Sequence, residues 1–347
     1  MMSKKRLTGV LAAVLITSAM LAGCSSDNSD TNANTEASGA GEEQKPTYTF
    51  RLAESHPADY PTTLGDKKFA ELVSQKTDGR IKIEVFPSAQ LGEEKAVIEQ
   101  VQLGAIEFTR VSTGPLAEFN QAFGVFSLPY IFDNEEHEWN FLNGPEAQKM
   151  LEDLSDSKFM GLAYYDSGAR SFYTRKPVTS MDDLKGMKIR VIQNKVNIDL
   201  MSALGASATP MPYGDVFNAL QTGVIDGAEN NWPSYFTSKH YEQAKHIIVD
   251  GHQRVPEVLM VSQVTWDKLS DADKQAIKEA AVESIPYQRE QWKKFEKDAE
   301  DQVRAAGVTV TEVGDLAPWQ EAVKPMIEKY RADYKDVLAA IENAKTK

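Results

Sequence analysis

The chain has one cysteine in 347 residues, Cys24, so no disulfide can close within it. It has no Gly-rich phosphate loop followed by Lys-Ser/Thr, no dinucleotide fingerprint and no Gly-x-Ser-x-Gly elbow. The five histidines, His56, His137, His240, His246 and His252, never fall at the His-Glu-x-x-His spacing. The last three recur every six residues, which does not stack them on one helix face, so neither a metal site nor a cofactor is expected. Carboxylate pairs are too common in this chain to indicate acid–base chemistry, and no nucleophile constellation accompanies them, so an enzyme is not expected. Cations are also in deficit: 38 Lys and Arg against 51 Asp and Glu give a net charge of −13. Such a field argues against nucleic acid as a partner. It also makes any arginine at a pocket position informative, because an anionic ligand would have to be held by local cations against the overall charge.

Long apolar runs are scarce as well. The one from Leu7 to Ala19 is short for a membrane span, follows Lys4, Lys5 and Arg6, and ends in Leu21-Ala22-Gly23-Cys24. This reads as a lipoprotein signal peptide over residues 1–23. Cys24 would then be lipidated and tether the protein to the outer face of a membrane. An ordinary signal peptide with a chance thiol is the other reading. Residues 24–46 contain almost no apolar side chain and read as a flexible linker.

Beyond residue 47 the periodicity switches repeatedly between two and 3.6 residues. Strands are expected at 48–52, 81–85, 106–111, 161–165, 171–174, 189–192, 225–229, 258–262 and 308–310. Helices are expected at 64–75, 93–103, 197–204 and 215–221. A βαβαβ opening favours a largely parallel sheet covered by helices, and the recurrence of the pattern points to two α/β lobes. From Asp271 the chain is strongly helical, with Pro286 expected to kink or break the helix. A further helix is expected from Trp319 to Ala344.

Ligands of open α/β sheets sit beyond the carboxyl ends of strands. Arg190, Arg110, Glu229-Asn230, and Glu54 with His56 all fall at such ends. Arg190 is ambiguous on periodicity alone. Lys188 and Arg190 alternate with Met187, Ile189 and Val191, as on a solvated sheet face. Yet a guanidinium fork at a strand end is also what a carboxylate clamp requires.

The stretch "LKGMKIRVIQNKVNIDLMSALGASATPMPYGDVFNALQTGVIDGAEN" (184–230) resembles the solute-binding proteins of tripartite ATP-independent periplasmic (TRAP) transporters. So do "FPSAQLGEEKAVIEQVQLGAIEFT", "FGVFSLPYIF" and "YYDSGARSFYTRKPVTSMDDLKG", and the similarity extends over residues 47–347. The resemblance implies an α/β, two-lobe periplasmic-binding-protein-like (Venus flytrap) fold with hinge strands and a long interdomain helix. Lobe I would comprise 47–167 plus 256–295, and lobe II 168–255 plus 296–347. The lobes would close on a solute and deliver it to a small and a large membrane subunit. The family's clamp arginine, in its K-x-R-V strand, falls on Arg190. The arginine of its G-x-R-x-F segment falls on Arg170, and the asparagine ending D-G-x-E-N falls on Asn230.

Other residues bear on the solute. Arg110 could meet a second carboxylate or a row of hydroxyls, or instead pair with Glu54. Glu54 in a cleft would repel a second carboxylate and accept hydroxyl protons, which favours a polyol acid. His56 could contact the ligand or structure its loop. Trp232 could stack on a sugar ring or serve as a core aromatic, and Tyr213 could reach the ligand or pack beneath the hinge. Arg254 and Glu257 could line the pocket or belong to the hinge. "AENNWPSYF" and "HQRVPEV" resemble the uronate branch of the family. The expected ligand is a hexuronate such as glucuronate or galacturonate, with a C4-dicarboxylate as the alternative. An extracytoplasmic enzyme or a co-receptor for a sensor kinase are further alternatives from other classes.

Overall fold

A computed structural model describes residues 47–345; Cys24, the signal segment and the linker lie outside the described residues. Eleven strands occur among the described residues. They are β1 (Tyr48–Ala53), β2 (Ile81–Phe86), β3 (Phe108–Ser112), β4 (Phe159–Tyr165), β5 (Ala169–Thr174), β6 (Lys188–Val191), β7 (Ser207–Pro210), β8 (Gly227–Asn230), β9 (His246–Arg254), β10 (Glu257–Ser262) and β11 (Thr309–Glu312). They form two sheets, ordered β2-β1-β3-β10-β4 and β11-β9-β5-β8-β6-β7.

Local pattern explains most of these elements. β2 alternates Ile-Lys-Ile, and Ile81 and Ile83 are buried while Lys82 is exposed. The helix Pro61–Lys76 starts on a proline, whose missing N–H would be unsatisfied there anyway. It buries Phe69, Leu72 and Val73 against Ile81, Ile83 and Leu259 of the first sheet. Strands β7 and β9 have no counterpart in the periodicity. β7 is a short edge strand with little burial, and β9 is interrupted by polar residues that turn out to be buried.

Neither sheet is largely parallel. β1 runs parallel to β2 and β3, but β10 is antiparallel to both β3 and β4. β5 is antiparallel to β8 and β9. The cause is chain crossing. The chain leaves the first sheet after β4 and returns to it only at β10, so β10 enters without a covering βαβ crossover and runs the other way.

The two crossings, Asp166–Gly168 and Val255–Pro256, lie side by side. The Ser167 hydroxyl donates to the Val255 carbonyl at 2.5 Å. Gly168 sits at φ +62, where a side chain is strained, and a Cβ there would fall 2.3 Å from Glu296 Oε1 and displace that carboxylate, so glycine is favoured.

A 35-residue helix, Asp271–Ala305, runs alongside. Ser270 caps it, with Asp271 and Asp273 in its first turn and Arg304 in its last, each at the end its charge favours. Ile277, Ala280 and Ala281 pack with the first-sheet core, and Val303 with Tyr235 and Ile225 of the second. Pro286 does not break this helix. The carbonyl it leaves without a helical donor belongs to Val282, a residue 60% exposed, on the helix face open to water.

The C-terminal segment is two helices, Ala317–Tyr330 and Lys335–Asn343, not one. The second turns onto the helix Glu135–Leu142, where a His137 ring nitrogen meets the Ile341 carbonyl at 2.7 Å. The chain end therefore contacts a segment that sequence reasoning assigned to the other lobe.

Candidate functional site

Strands of both sheets end at one cavity of about 310 Å³, within the range of small-molecule sites. The first-sheet side contributes Ser55 and His56 after β1, Glu93 and Glu94 at the start of the helix Glu94–Gln102, Ser112 at the end of β3, and Glu257 at the start of β10. The second contributes Arg170 from β5, Arg190 from β6, Tyr213 after β7, and Asn230 and Asn231 at the end of β8.

Arg190 is 4% exposed. The solvated-face reading fails because, of the two cations that alternate with the apolar residues of β6, only Lys188 at its start reaches solvent, while Arg190 is buried on the cavity wall. Its Nε and Nη2 donate to the Met211 carbonyl at 3.1 and 2.9 Å. No carboxylate of the described residues lies within ion-pair distance of it. Burial pulls its pKa down, opposed chiefly by the charge of Glu229.

Arg170 is anchored more fully. Its Nε donates to Glu229 Oε2 at 2.5 Å, its Nη2 to the Glu229 carbonyl at 2.9 Å, and its Nη1 to Asn230 Oδ1 at 2.8 Å. Asn230 Oδ1 also accepts from the Asn231 amide at 2.9 Å.

His56 stacks on Tyr60 with ring centroids 3.9 Å apart and meets Tyr213 edge-on at 5.2 Å. Its Nδ1 is buried and has no protein partner. Burial, reinforced by the Arg110 charge, pulls the imidazole down to about 3, so it is neutral. The Tyr213 hydroxyl donates to the Ser234 carbonyl at 3.3 Å.

Four residues weighed from the sequence stand away from the cavity wall. Arg110, 1% exposed, is enclosed by Glu54, Glu94 and Glu257, and Glu54 holds both its Nε and its Nη2. The pairing alternative is thus the arrangement seen. Glu54 lies behind His56, whose backbone amide it accepts at 2.7 Å. Burial pushes the Glu54 carboxyl up, but Arg110 outweighs burial and holds it at about 2. Trp232 opens the helix Trp232–Thr237 and faces the long helix, with the Arg304 guanidinium 5.6 Å from its ring. Arg254 also stays off the cavity, 3.3 Å from Glu138.

Sequence reasoning missed Glu94. The strand-end rule that selected Glu54 and His56 would have found it, because the helix it opens follows β2. Among the described residues, no group of three or more His, Cys, Asp and Glu is placed to hold a metal ion.

Residues 52–333 match the family described as bacterial extracellular solute-binding protein, family 7. A solute-binding protein of Chromohalobacter salexigens is 36% identical over 283 residues, 81% of this chain and 84% of that one. A TRAP periplasmic solute-binding protein from Xanthobacter autotrophicus Py2, solved with bound β-D-galacturonate, is 42% identical at a TM-score of 0.83. The match covers 85% of this chain and all of that one. Another, from Pseudomonas putida F1 with bound D-glucuronate, is 38% identical at a TM-score of 0.84, over 86% and 98% of the two chains.

Proposed function

Because the chain belongs to family 7 of the bacterial extracellular solute-binding proteins and is a binding protein of the TRAP class, we propose that it captures a hexuronate, glucuronate or galacturonate, and hands it to the transporter's membrane subunits without chemical change. The observation that carries this reading is Arg190: a buried cation on the cavity wall with no carboxylate of its own. A charge taken out of water without a partner is costly, and a ligand carboxylate would supply the partner. Arg170 and Asn230 flank it and would share that carboxylate. His56, Tyr213 and the cavity carboxylates Glu94 and Glu257 offer hydrogen-bond groups for ring hydroxyls. The uronates in two similar proteins support the same choice.

Lobe I is proposed as 47–167 with 256–295, and lobe II as 168–255 with 296–347, the final helix bridging back. Cys24 is proposed as the lipid attachment point, and labelling with an alkyne fatty acid should be lost in Cys24→Ala. The central test is titration calorimetry and thermal shift with glucuronate and galacturonate. A ligand that binds only the folded state raises the melting temperature. If neither uronate raises it nor gives a binding isotherm, the reading fails. Lobe closure predicts a smaller radius of gyration by small-angle scattering on adding ligand, and an unchanged radius would reject the proposed boundaries.

A further inference from the structure

The cavity is sorted by charge. Both of its buried cations, Arg170 and Arg190, come from the second sheet. The first-sheet side presents carboxylates instead, those of Glu93, Glu94 and Glu257, the last two on Arg110; Lys95 and Glu99 stand exposed at the rim.

Arg110 does not neutralise that wall, because its single charge stands among three carboxylates, and its donors are used on them. A guanidinium has five N–H groups. The Nε and one Nη2 proton go to Glu54. The other Nη2 proton goes to Ser55 Oγ at 3.0 Å. The two Nη1 protons go to Glu94 Oε1 at 2.8 Å and Glu257 Oε2 at 2.7 Å. One cation is therefore divided among three carboxylates. Glu94 Oε1 accepts a second bond, from the Ser112 amide at 3.1 Å. The other oxygens, Glu94 Oε2 and Glu257 Oε1, accept from no protein donor among the described residues. They are lone-pair acceptors on a cavity wall that keeps surplus negative charge even though burial, opposed by Arg110, pushes the Glu257 carboxyl up to about 7, because Glu54 and Glu94 already outnumber the single Arg110 charge. A hydroxyl can donate to them; a second carboxylate can only be repelled.

We infer that Glu94 and Glu257, locked in place by Arg110, form a charge filter that admits hydroxy acids with one carboxylate and rejects those with a second carboxylate on the Arg110 side. The inference rests on the sugar-acid reading above and narrows it to monoacids. Specificity of this kind comes from a repulsive element as much as from an attractive one.

Galactonate and galactarate form a matched pair for the test. Both are open-chain and carry the same secondary hydroxyls, and they differ in one terminus, CH₂OH against carboxylate. Calorimetry at neutral pH should find galactarate roughly thirtyfold or more weaker than galactonate, since opposing like charges cost several kcal/mol. In Glu94→Gln, which leaves Glu54 and Glu257 on Arg110, that ratio should shrink roughly fivefold or more, because the amide can donate to the second carboxylate. The double variant Glu94→Gln/Glu257→Gln should shrink it further, with a cooperative ligand-free melt verifying the fold. Wild-type affinities within about threefold of each other, about 0.65 kcal/mol, would overturn the filter alone. An unmoved ratio in folded Glu94→Gln would do the same. Failure of every hydroxy acid, uronates included, would overturn the carboxylate-clamp reading and the filter with it.

Discussion

Gln288 and Asp166 close a ring of two hydrogen bonds. The Asp166 amide donates to Gln288 Oε1 at 2.9 Å, and Gln288 Nε2 donates back to the Asp166 carbonyl at 2.9 Å. One side chain of the long helix thus satisfies both backbone groups where the chain passes from the first sheet to the second, as a neighbouring strand would have done. Gln288→Ala leaves a buried N–H and C=O unpaired, at about 1–3 kcal/mol each. The variant should lose about 2–5 kcal/mol in urea denaturation. A loss below about 1 kcal/mol would mean that the crossing is held by other contacts.

Arg190 presents a stability cost that ligand binding offsets. Arg190→Met removes the clamp and also removes a desolvated, unpaired cation. Uronate affinity should fall by about 2–5 kcal/mol, roughly thirtyfold or more in Kd. The melting temperature of the ligand-free protein should hold steady or rise, because exchanging a buried charge for an apolar side chain is often neutral or stabilising. A lower melting temperature with unchanged affinity would place Arg190 in the structural framework instead.

Arg110 should behave in the opposite way. Arg110→Met strands the buried carboxylates of Glu54 and Glu257, and breaking a buried pair costs about 3–5 kcal/mol. A thermal melt should show that loss before any ligand is added. An unaltered melt would contradict the ion cluster described above.

Trp232→Phe should leave uronate affinity unchanged within error, because the indole faces Arg304 and Tyr235 and not the cavity. A tenfold loss by calorimetry, about 1.4 kcal/mol, would return the residue to the ligand.

Stability should peak in mildly acidic solution. Burial pulls His56 and His240 from 6.5 to about 3. Below 6.5 the unfolded chain takes up protons that these folded imidazoles refuse, so stability falls as the pH drops from 6.5 toward 3. Burial pushes Glu138 from 4.5 to about 8, with Arg254 opposing, and Glu296 from 4.5 to about 7, with Asp166 adding to the rise. Their folded forms keep protons that the unfolded chain has lost, so this stability is present below 4.5 and disappears as the pH rises through 7 and 8. The melting temperature should therefore be highest between 4.5 and 6.5. Glu138→Gln should flatten the alkaline limb, and a melting temperature still climbing past pH 8 would reverse the assignment.

Much was legible in the chain before any coordinates. Strict alternation marks β2 because one of its faces is buried and the other wet. The order of motifs around Arg170, Arg190 and Asn230 identifies the family; the strand-end rule pointed to Arg190, Asn230 and His56, which line the cavity, and equally to Arg110 and Glu54, which do not. Tertiary structure decided the rest, for reasons local pattern cannot carry. Whether Arg190 met water depended on what covered its face of the sheet, and in the fold it is 4% exposed, against the Met211 carbonyl. Whether Arg110 faced a ligand depended on Glu94 and Glu257, 16 and 147 positions away in the chain, which occupy its donors first. β10 reversed direction because the chain reached it from the other sheet. Periodicity reports which face of an element is buried; it does not report which distant charge arrives there, and in a low-dielectric interior that arrival settles whether an arginine is a binding group or a structural one.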